Sequence, residues 1–258
     1  MLGMKEARMK RIFPDKKTVI IALDHGIEHG PRDFNSFNAN PKNIISLLAP
    51  YADGFILNKG IAQLVRPYLK CPLILKLTGH TTLSPEEVQA PIASVRDGVL
   101  LKADAVAATV YFGVKRESEM LSLFGRLQTE CTEANIPFLG MMYPRGKKEP
   151  SADEIAYAAR VGAELGADVV KTYFLNEVSF EEIVRASPVP VVARGGARKG
   201  TEETLEMIES VMNAGGAGVA IGRSVWQHKD PKGMLLAIRA VVHKGFSAEK
   251  ALKFVKSG

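Results

Sequence analysis

Eight short apolar runs recur along the chain, and amphipathic helical segments separate most of them. Because the runs lack the polar alternation of a half-exposed strand, each is predicted to be buried on both faces of a parallel sheet. Eight such units in 258 residues indicate an α/β protein with a single-domain (β/α)8 fold, the TIM barrel. The runs are residues 18–24, 54–58, 73–77, 105–111, 138–143, 169–173, 189–195 and 218–223.

A doubly wound open sheet is the alternative to a barrel. Such sheets commonly carry Gly-x-Gly-x-x-Gly after the first strand, but this first run ends in Asp24-His25-Gly26. We therefore expect one barrel domain over residues 1–258, with a leading helix at about 1–13 that covers the bottom of the barrel.

The helical segments show amphipathic patterns and recognisable ends. Residues 152–165 and 201–214 each place apolar side chains on one face. Ser151 and Thr201 stand where N-caps are expected, before acidic first turns. Residues 247–257 are predicted to form the last helix.

The composition excludes several classes of protein. The formal charge of +6 could favour anionic substrates, or could reflect lysine-rich helix faces. The cations are scattered without interleaved aromatics, so we expect no nucleic-acid partner. No uncharged apolar stretch is long enough to span a bilayer, and the N-terminus lacks a signal peptide's apolar core. Cys71 and Cys131 are interpreted as buried apolar residues in a reducing compartment. A cytoplasmic protein is expected.

Lys171 is the leading candidate for a catalytic group. It follows Val169-Val170 at the predicted carboxyl end of the sixth strand, where TIM barrels build their active sites. Low dielectric and nearby cations lower the pKa of a lysine in such a pocket, and the neutral amine can form a Schiff base with a carbonyl. A surface or ion-paired lysine is the alternative. Lys59 and Lys76 are rivals at other strand ends, ranked lower because the Lys171 strand adjoins that of Tyr143.

Other strand ends supply candidate acid–base groups. The phenol of Tyr143 could move the proton of a sugar hydroxyl near an iminium, or could simply plug the barrel mouth. The carboxylate of Asp24 ends an apolar strand, so it must be paired with Lys171 or Lys59, or serve as a base. His25 and His29 could be ligands of a two-histidine, one-carboxylate metal site. The surrounding Gly and Pro residues favour a loop there, however, and we expect no metal.

The loops after strands seven and eight are predicted to bind phosphate. In this fold these loops and a short helix commonly cradle a phosphate group. Gly195, Gly196 and Gly222 allow close approach of backbone N–H groups, although a Gly-Gly pair is also typical of a plain turn. Arg223 can add a bidentate contact, and Arg145 could bind a second phosphate or a carboxylate.

As a set, these segments resemble the archaeal-type class I fructose-bisphosphate aldolase family. The resemblance spans nearly the whole chain in the same order. The matching segments are Ala22-Leu23-Asp24-His25-Gly26-Ile27-Glu28-His29-Gly30-Pro31, Tyr143-Pro144-Arg145-Gly146, Gly166-Ala167-Asp168-Val169-Val170-Lys171, Arg194-Gly195-Gly196 and Ala220-Ile221-Gly222-Arg223-Ser224-Val225-Trp226-Gln227.

The resemblance implies reversible cleavage of fructose 1,6-bisphosphate through a Schiff base on Lys171, without a metal or organic cofactor. Tyr143 would be the acid–base group and Asp24 would assist it. The glycines and Arg223 would bind the ketose C1 phosphate, with Arg145 near the distal phosphate. Family members often form decamers of pentameric rings, which implies a homo-oligomer. Further substrate contacts are expected from His25, Gly26, Ile27, Glu28 and Pro144.

Two departures from the aldolase pattern leave the substrate open. Met141 stands where that pattern has Trp, so the segment around it looks more like 2-amino-3,7-dideoxy-threo-hept-6-ulosonate synthase, a transaldolase-like relative. After Lys171, a Tyr-Thr-Gly-Asp-like stretch is replaced by Tyr173-Phe174-Leu175-Asn176. Two other functions therefore compete with the aldolase prediction. One is the heptulosonate synthase, and the other is a phosphosugar-binding barrel without lyase activity.

Overall fold

Eight parallel strands close into a barrel. The computed structural model describes residues 2–146, 149–195 and 200–256. The barrel strands are β1 (Thr18–Ala22), β2 (Gly54–Asn58), β3 (Leu73–Lys76), β6 (Ala105–Phe112), β7 (Phe138–Pro144), β8 (Val169–Thr172), β9 (Val191–Arg194) and β10 (Gly218–Ile221). Around the barrel their order is β1-β10-β9-β8-β7-β6-β3-β2, which confirms the predicted (β/α)8 fold.

Helices alternate with these strands and cover them. Their apolar faces pack on strands that are buried along almost their whole length, the arrangement that parallel sheets require. The α-helices are α1 (Leu2–Ile12), α2 (Gly26–His29), α3 (Pro41–Leu48), α4 (Lys59–Val65), α5 (Val95–Leu100), α6 (Glu117–Glu133), α7 (Ala152–Glu164), α8 (Glu177–Ala186), α9 (Thr201–Asn213), α10 (Arg223–Trp226), α11 (Pro231–Lys244) and α12 (Ala248–Leu252), with 3-10 turns at Pro14–Lys16 and Gly30–Asp33.

Several local predictions differ from the structure. Ser151 caps α7 through a capping box with Glu154, as expected. Thr201, however, is the first residue of α9 and Gly200 is its N-cap, with the Glu203 carboxylate accepting the Gly200 N–H at 3.1 Å. The last helix ends early, at Leu252.

Two further elements were not predicted. The loop expected between His25 and His29 is the one-turn helix α2. A small antiparallel ribbon of β4 (Thr78–Gly79) and β5 (Ala90–Pro91) branches off after β3.

Three aspartates fasten neighbouring strands together at the amino-terminal face. Each precedes one strand and accepts the backbone N–H of a residue in the adjacent strand: Asp53 from Val19 at 2.7 Å, Asp104 from Leu73 at 3.1 Å, and Asp168 from Phe138 at 2.8 Å. In return, the backbone N–H of each aspartate donates to the carbonyl of the same residue. The register of three strand pairs is thereby fixed at the face opposite the candidate site.

Cations from the first and last parts of the chain complete this face. Lys5 and Arg11 of α1 pair with Asp168 at 2.8 Å and Asp104 at 2.6 Å, so α1 lies at the amino-terminal ends of the strands. Asp53 binds Arg239 and His243 of α11, each at 2.7 Å. Both cysteines are free and buried. None of the described helices has the length and apolar character of a bilayer-crossing segment.

Candidate active site

A polar cavity of about 390 Å³ opens at the carboxyl ends of the strands. Parallel strands bring the residues that follow them to one rim, so side chains far apart in sequence meet here. The cavity contains all three predicted catalytic groups, Lys171, Tyr143 and Asp24. Its wall consists of Ala22, Asp24, His25, Glu28, His29, His80, Thr82, Met141, Tyr143, Arg145, Lys171, Tyr173, Arg194, Gly195, Ala220, Gly222 and Arg223.

Lys171 lies on β8 with only 5% of its surface exposed. Among the described residues, its amine has no hydrogen-bond or ion-pair partner within 4 Å. Burial is the main cause that lowers the pKa of Lys171 to about 8; the charges of Arg194 and Lys76 act in the same direction, while Asp24 and Glu28 oppose them. About a tenth of the amine is therefore neutral at pH 7, which makes Lys171 a competent nucleophile.

The rival lysines have other environments. Lys59 is 39% exposed and forms an ion pair with Asp97 at 2.9 Å, and it does not reach the cavity wall. The Lys76 side chain is almost completely buried and donates to the backbone O and the hydroxyl of Thr78 at 2.8 and 3.2 Å. Lys76 is therefore anchored away from the wall, although burial lowers the pKa of its amine.

Asp24 and His25 follow β1 at the cavity floor. The imidazole Nδ1 of His25 lies 3.8 Å from the Asp24 carboxylate. Burial raises the pKa of Asp24, but the positive charges of His25, Lys171 and Lys76 outweigh this effect and the net pKa is lowered. Burial lowers the pKa of His25. Asp24 is thus an anion near the lysine, and the predicted pairing to Lys171 or Lys59 is not a direct contact among the described residues.

Tyr143 is buried beside a second tyrosine. Its ring centroid lies 5.3 Å from that of Tyr173, in an edge-to-face arrangement. Burial raises the pKa of the Tyr143 phenol well above 10, while the charge of Arg194 opposes this rise. The resting phenol is therefore protonated, which suits a group that first donates a proton.

Three arginines line the cavity around the lysine. Arg145 follows β7, with its guanidinium 4.7 Å from the ring centroid of Tyr111, and its buried Nε has no hydrogen-bond partner within the described chain. Arg194 ends β9, and Arg223 follows β10, 3.7 Å from Asp33. Arg145 and Arg223 follow strands that are three positions apart in the barrel, and since neighbouring strands lie about 4.8 Å apart, those two strands are separated by about 14 Å along the sheet.

The predicted phosphate-binding glycines lie where space is tight. A Cβ at Gly222 would approach the Ala22 carbonyl oxygen to 2.5 Å and the His25 ring to 2.7 Å. Gly195 and Gly222 both reach the cavity wall, and the Gly195 N–H donates to the Ala220 carbonyl oxygen at 3.4 Å. The third glycine of this prediction, Gly196, lies outside the described residues. Ser224 is inside α10, for which Gly222 is the N-cap.

Three predicted substrate contacts face other depressions. Gly26 and Ile27 line a neighbouring cavity beneath Phe34, and Pro144 lines another beside Tyr157. His25, Glu28 and Arg145 are on the central wall, as expected. Direct binding roles for the other three stay predictions.

Arg194 and Tyr173 are central to the site but received no role from the sequence. Both lie on the cavity wall with Lys171, as do His80 and Thr82. Tyr173 ends the sixth predicted run and Arg194 stands at the end of the seventh, so the strand-end rule places both at the active-site face without assigning either a role. Among the described residues, no group of three or more His, Cys, Asp or Glu side chains is placed to hold a metal ion.

Known proteins resemble this chain in sequence and in fold. Residues 18–228 match the model of the DeoC/LacD family aldolases. Fructose-bisphosphate aldolase class 1 of Thermoproteus tenax is 39% identical over 246 residues, covering 91% of this chain and 93% of the relative. The 2-amino-3,7-dideoxy-D-threo-hept-6-ulosonate synthase 1 of Archaeoglobus fulgidus is 34% identical over 257 residues, covering 98% and 96%.

A solved structure of a Schiff-base-forming fructose-1,6-bisphosphate aldolase superimposes with a TM-score of 0.86 at 37% identity. The match covers 93% of this chain and 99% of the other. Together with a lysine-centred cavity at the carboxyl ends of the strands, these similarities establish the class of enzyme. The chain belongs to the DeoC/LacD family and is an aldolase of the archaeal class I type.

Proposed function

We propose that the protein reversibly cleaves fructose 1,6-bisphosphate to dihydroxyacetone phosphate and glyceraldehyde 3-phosphate. The observation that carries this proposal is that one cavity wall has Lys171 on β8, between Arg145 after β7 and Arg223 after β10. Arg223, with Gly195 and Gly222, offers a site for the C1 phosphate, and Arg145 offers one for the C6 phosphate. An extended hexose bisphosphate has an anion at each end and its carbonyl between them, which matches this order.

The reaction begins at the lysine. The neutral amine of Lys171 attacks C2 of the open-chain sugar, and proton transfer from nitrogen to oxygen gives the carbinolamine. The phenol of Tyr143 donates its proton to the departing C2 hydroxyl, which leaves as water. The products of this step are an iminium ion and a tyrosinate, so the charge is balanced within the cavity.

Cleavage of the carbon–carbon bond follows. The tyrosinate of Tyr143 takes the proton of the C4 hydroxyl, directly or through water, and the C3–C4 bonding electrons move into the iminium to form an enamine. Glyceraldehyde 3-phosphate departs. The iminium is the electron sink for this step, so the proposal requires no metal or organic cofactor.

The second half returns the enzyme to its starting state. The Tyr143 phenol donates a proton to C3 of the enamine and again becomes a tyrosinate. It then accepts a proton from the water that attacks the iminium. Collapse of the new carbinolamine releases dihydroxyacetone phosphate and the free amine of Lys171. The Asp24 carboxylate, close to both cationic nitrogen and substrate hydroxyls, stabilises the iminium by its charge.

Synthesis of 2-amino-3,7-dideoxy-threo-hept-6-ulosonate is the second candidate, and Met141 favours it. Met141 pairs in register with Lys171 and lines the cavity, so the residue beside the nucleophile is the one at which the sequence departs from the bisphosphate aldolase pattern. That reaction would use the same lysine chemistry, with aspartate semialdehyde as the acceptor.

Borohydride trapping with fructose 1,6-bisphosphate tests the proposal. We expect peptide mass spectrometry to find a reduced adduct of the dihydroxyacetone phosphate fragment on Lys171, together with enzyme-coupled detection of both triose phosphates. An adduct on Lys76 or Lys59 would refute the assigned nucleophile. A trapped adduct only with the heptulosonate substrates would favour the second candidate. Saturable binding of the bisphosphate without adduct or product would indicate a binding barrel that is not a lyase.

A further inference from the structure

The guanidinium of Arg194 contacts two aromatic rings of the cavity. Its central carbon lies 5.5 Å from the ring centroid of Tyr143 and 4.7 Å from that of Tyr173. Its Nε donates to the Gly195 carbonyl oxygen at 3.3 Å. Among the described residues, no carboxylate lies within 4 Å of it. Arg194 is therefore a cation whose neighbours are tyrosines and not an acidic partner.

This position links the cation to the acid–base group. A cation within about 6 Å of an aromatic face is attracted to the ring, so Arg194 restrains the orientation of Tyr143. The two tyrosines also contact each other edge to face, which makes the three side chains one packed unit. When Tyr143 gives up its proton, the attraction between ring and cation becomes stronger because the ring then carries a negative charge.

Arg194 differs in this respect from the other two arginines. Arg145 lies over Tyr111 and is 3.7 Å from Glu87. Arg223 is 3.7 Å from Asp33. Only Arg194, among the described arginines, contacts the ring of the acid–base group.

We propose that Arg194 is a positioning residue: it fixes the ring of Tyr143 toward the reacting carbons and stabilises the tyrosinate that forms during the reaction. The proposal rests on the proposed function, since Arg194 acts through Tyr143. It assigns no phosphate contact to Arg194.

The charges around the two reacting groups predict how its loss would be observed. Arg194 and Lys76 disfavour protonation of Lys171, while Asp24 and Glu28 favour it. At Tyr143, Arg194 favours the tyrosinate, while Asp24, Glu28 and the second tyrosine disfavour it. Removal of the cation should therefore make the lysine harder to deprotonate and the tyrosinate harder to form.

The experiment compares Arg194→Gln and Arg194→Lys with the wild type in single turnovers. For Arg194→Gln we expect C3–C4 cleavage to slow about 10- to 100-fold. We expect imine formation with dihydroxyacetone phosphate, trapped by borohydride, to shift its midpoint to higher pH by about half a unit or more. Arg194→Lys keeps the charge but loses the planar guanidinium, so it should restore the midpoint and part of the cleavage rate. Arg160→Gln, at an exposed helix pair, is the control for arginine removal.

A double-mutant comparison separates positioning from simple structural damage. In a Tyr143→Phe background, Arg194→Gln should change cleavage by less than about threefold, because the group through which it acts is gone. The full loss in that background would overturn the proposal. The proposal would also be overturned if Arg194→Gln kept the wild-type cleavage rate and midpoint but was inhibited more weakly by inorganic phosphate, since Arg194 would then be a phosphate ligand. Absence of any imine in the wild type would instead refute the proposed function.

Discussion

The lowered pKa of Lys171 makes a quantitative prediction about imine formation. Only the neutral amine attacks a carbonyl, so the rate should follow the fraction of Lys171 that is deprotonated. With a pKa of about 8, that fraction rises about 30-fold between pH 6.5 and pH 9.5 and is nearly constant above pH 9. A lysine at its ordinary pKa of 10.5 would instead gain about 900-fold over the same range, without a plateau.

The assay is a quenched-flow measurement with subsaturating dihydroxyacetone phosphate. Samples are reduced with borohydride at timed intervals, and the adduct is counted by intact-protein mass spectrometry. Starting at pH 6.5 limits the contribution of the substrate phosphate, whose second pKa is about 6. Lys171→Met should give no adduct, whereas Lys59→Met, which removes an exposed lysine outside the cavity, should reproduce the wild-type curve.

Two results would refute this reasoning. A rate that continues to rise tenfold per pH unit through pH 9.5 would show that burial and the neighbouring cations do not lower the pKa of the nucleophile. A rate independent of pH below 8 would show that another step limits trapping, or that a different amine reacts. The same curve measured for Asp24→Asn should have a lower midpoint, because the Asp24 charge favours protonated lysine.

Three further predictions concern acid–base chemistry and stability. Tyr143→Phe should lower cleavage about 100- to 10,000-fold in a coupled triose-phosphate assay; unimpaired cleavage would exclude its proton-transfer role. Asp53→Asn should cost about 2 kcal/mol and lower the calorimetric Tm by about 4–8 °C. Burial raises the pKa of Asp53, but its hydrogen bonds lower it below 3.8 overall. The stabilisation by Asp53 is therefore present at neutral pH and is lost as pH falls through the folded-state pKa. If the Tm of Asp53→Asn fell with acid as steeply as the Tm of the wild type, this reasoning would be contradicted. Gly218→Ala, at a φ of +126° and against the Thr18 backbone, should cost about 3 kcal/mol; an unchanged Tm would refute this.

The barrel could be predicted because its strands carry their signal locally. A run such as residues 105–111 is apolar on both faces, and that pattern is typical of a parallel strand covered by helices. Helix ends were less certain, because they depend on single side chains. Thr201 is a good N-cap residue, but the Glu203 side chain reaches back to Gly200 and fixes the start of α9 one position earlier.

The cavity wall could be predicted in part. Asp24, Tyr143 and Lys171 lie at strand ends, and the barrel rule brings strand ends together. Sequence cannot tell which of several strand-end lysines faces the cavity, because the direction of a side chain depends on strand register. The anchoring of Lys76 by Thr78 involves the branching ribbon, which has only two residues per strand. The cluster of Arg194 with two tyrosines joins side chains from three segments, and no local pattern encodes it.

The aspartates at the amino-terminal face have a consequence for how the chain reaches its native state. Lys5 and Arg11 are made first during synthesis, yet the carboxylates that bind them belong to residues 168 and 104. Helix α1 therefore cannot dock until most of the barrel has been made. Asp53, in contrast, joins β1 to β2, and only its ion pairs with α11 form after that part of the chain is made. Closure of the barrel and docking of α1 are thus expected to be late, coupled events, with α1 and α11 binding aspartates on the same face.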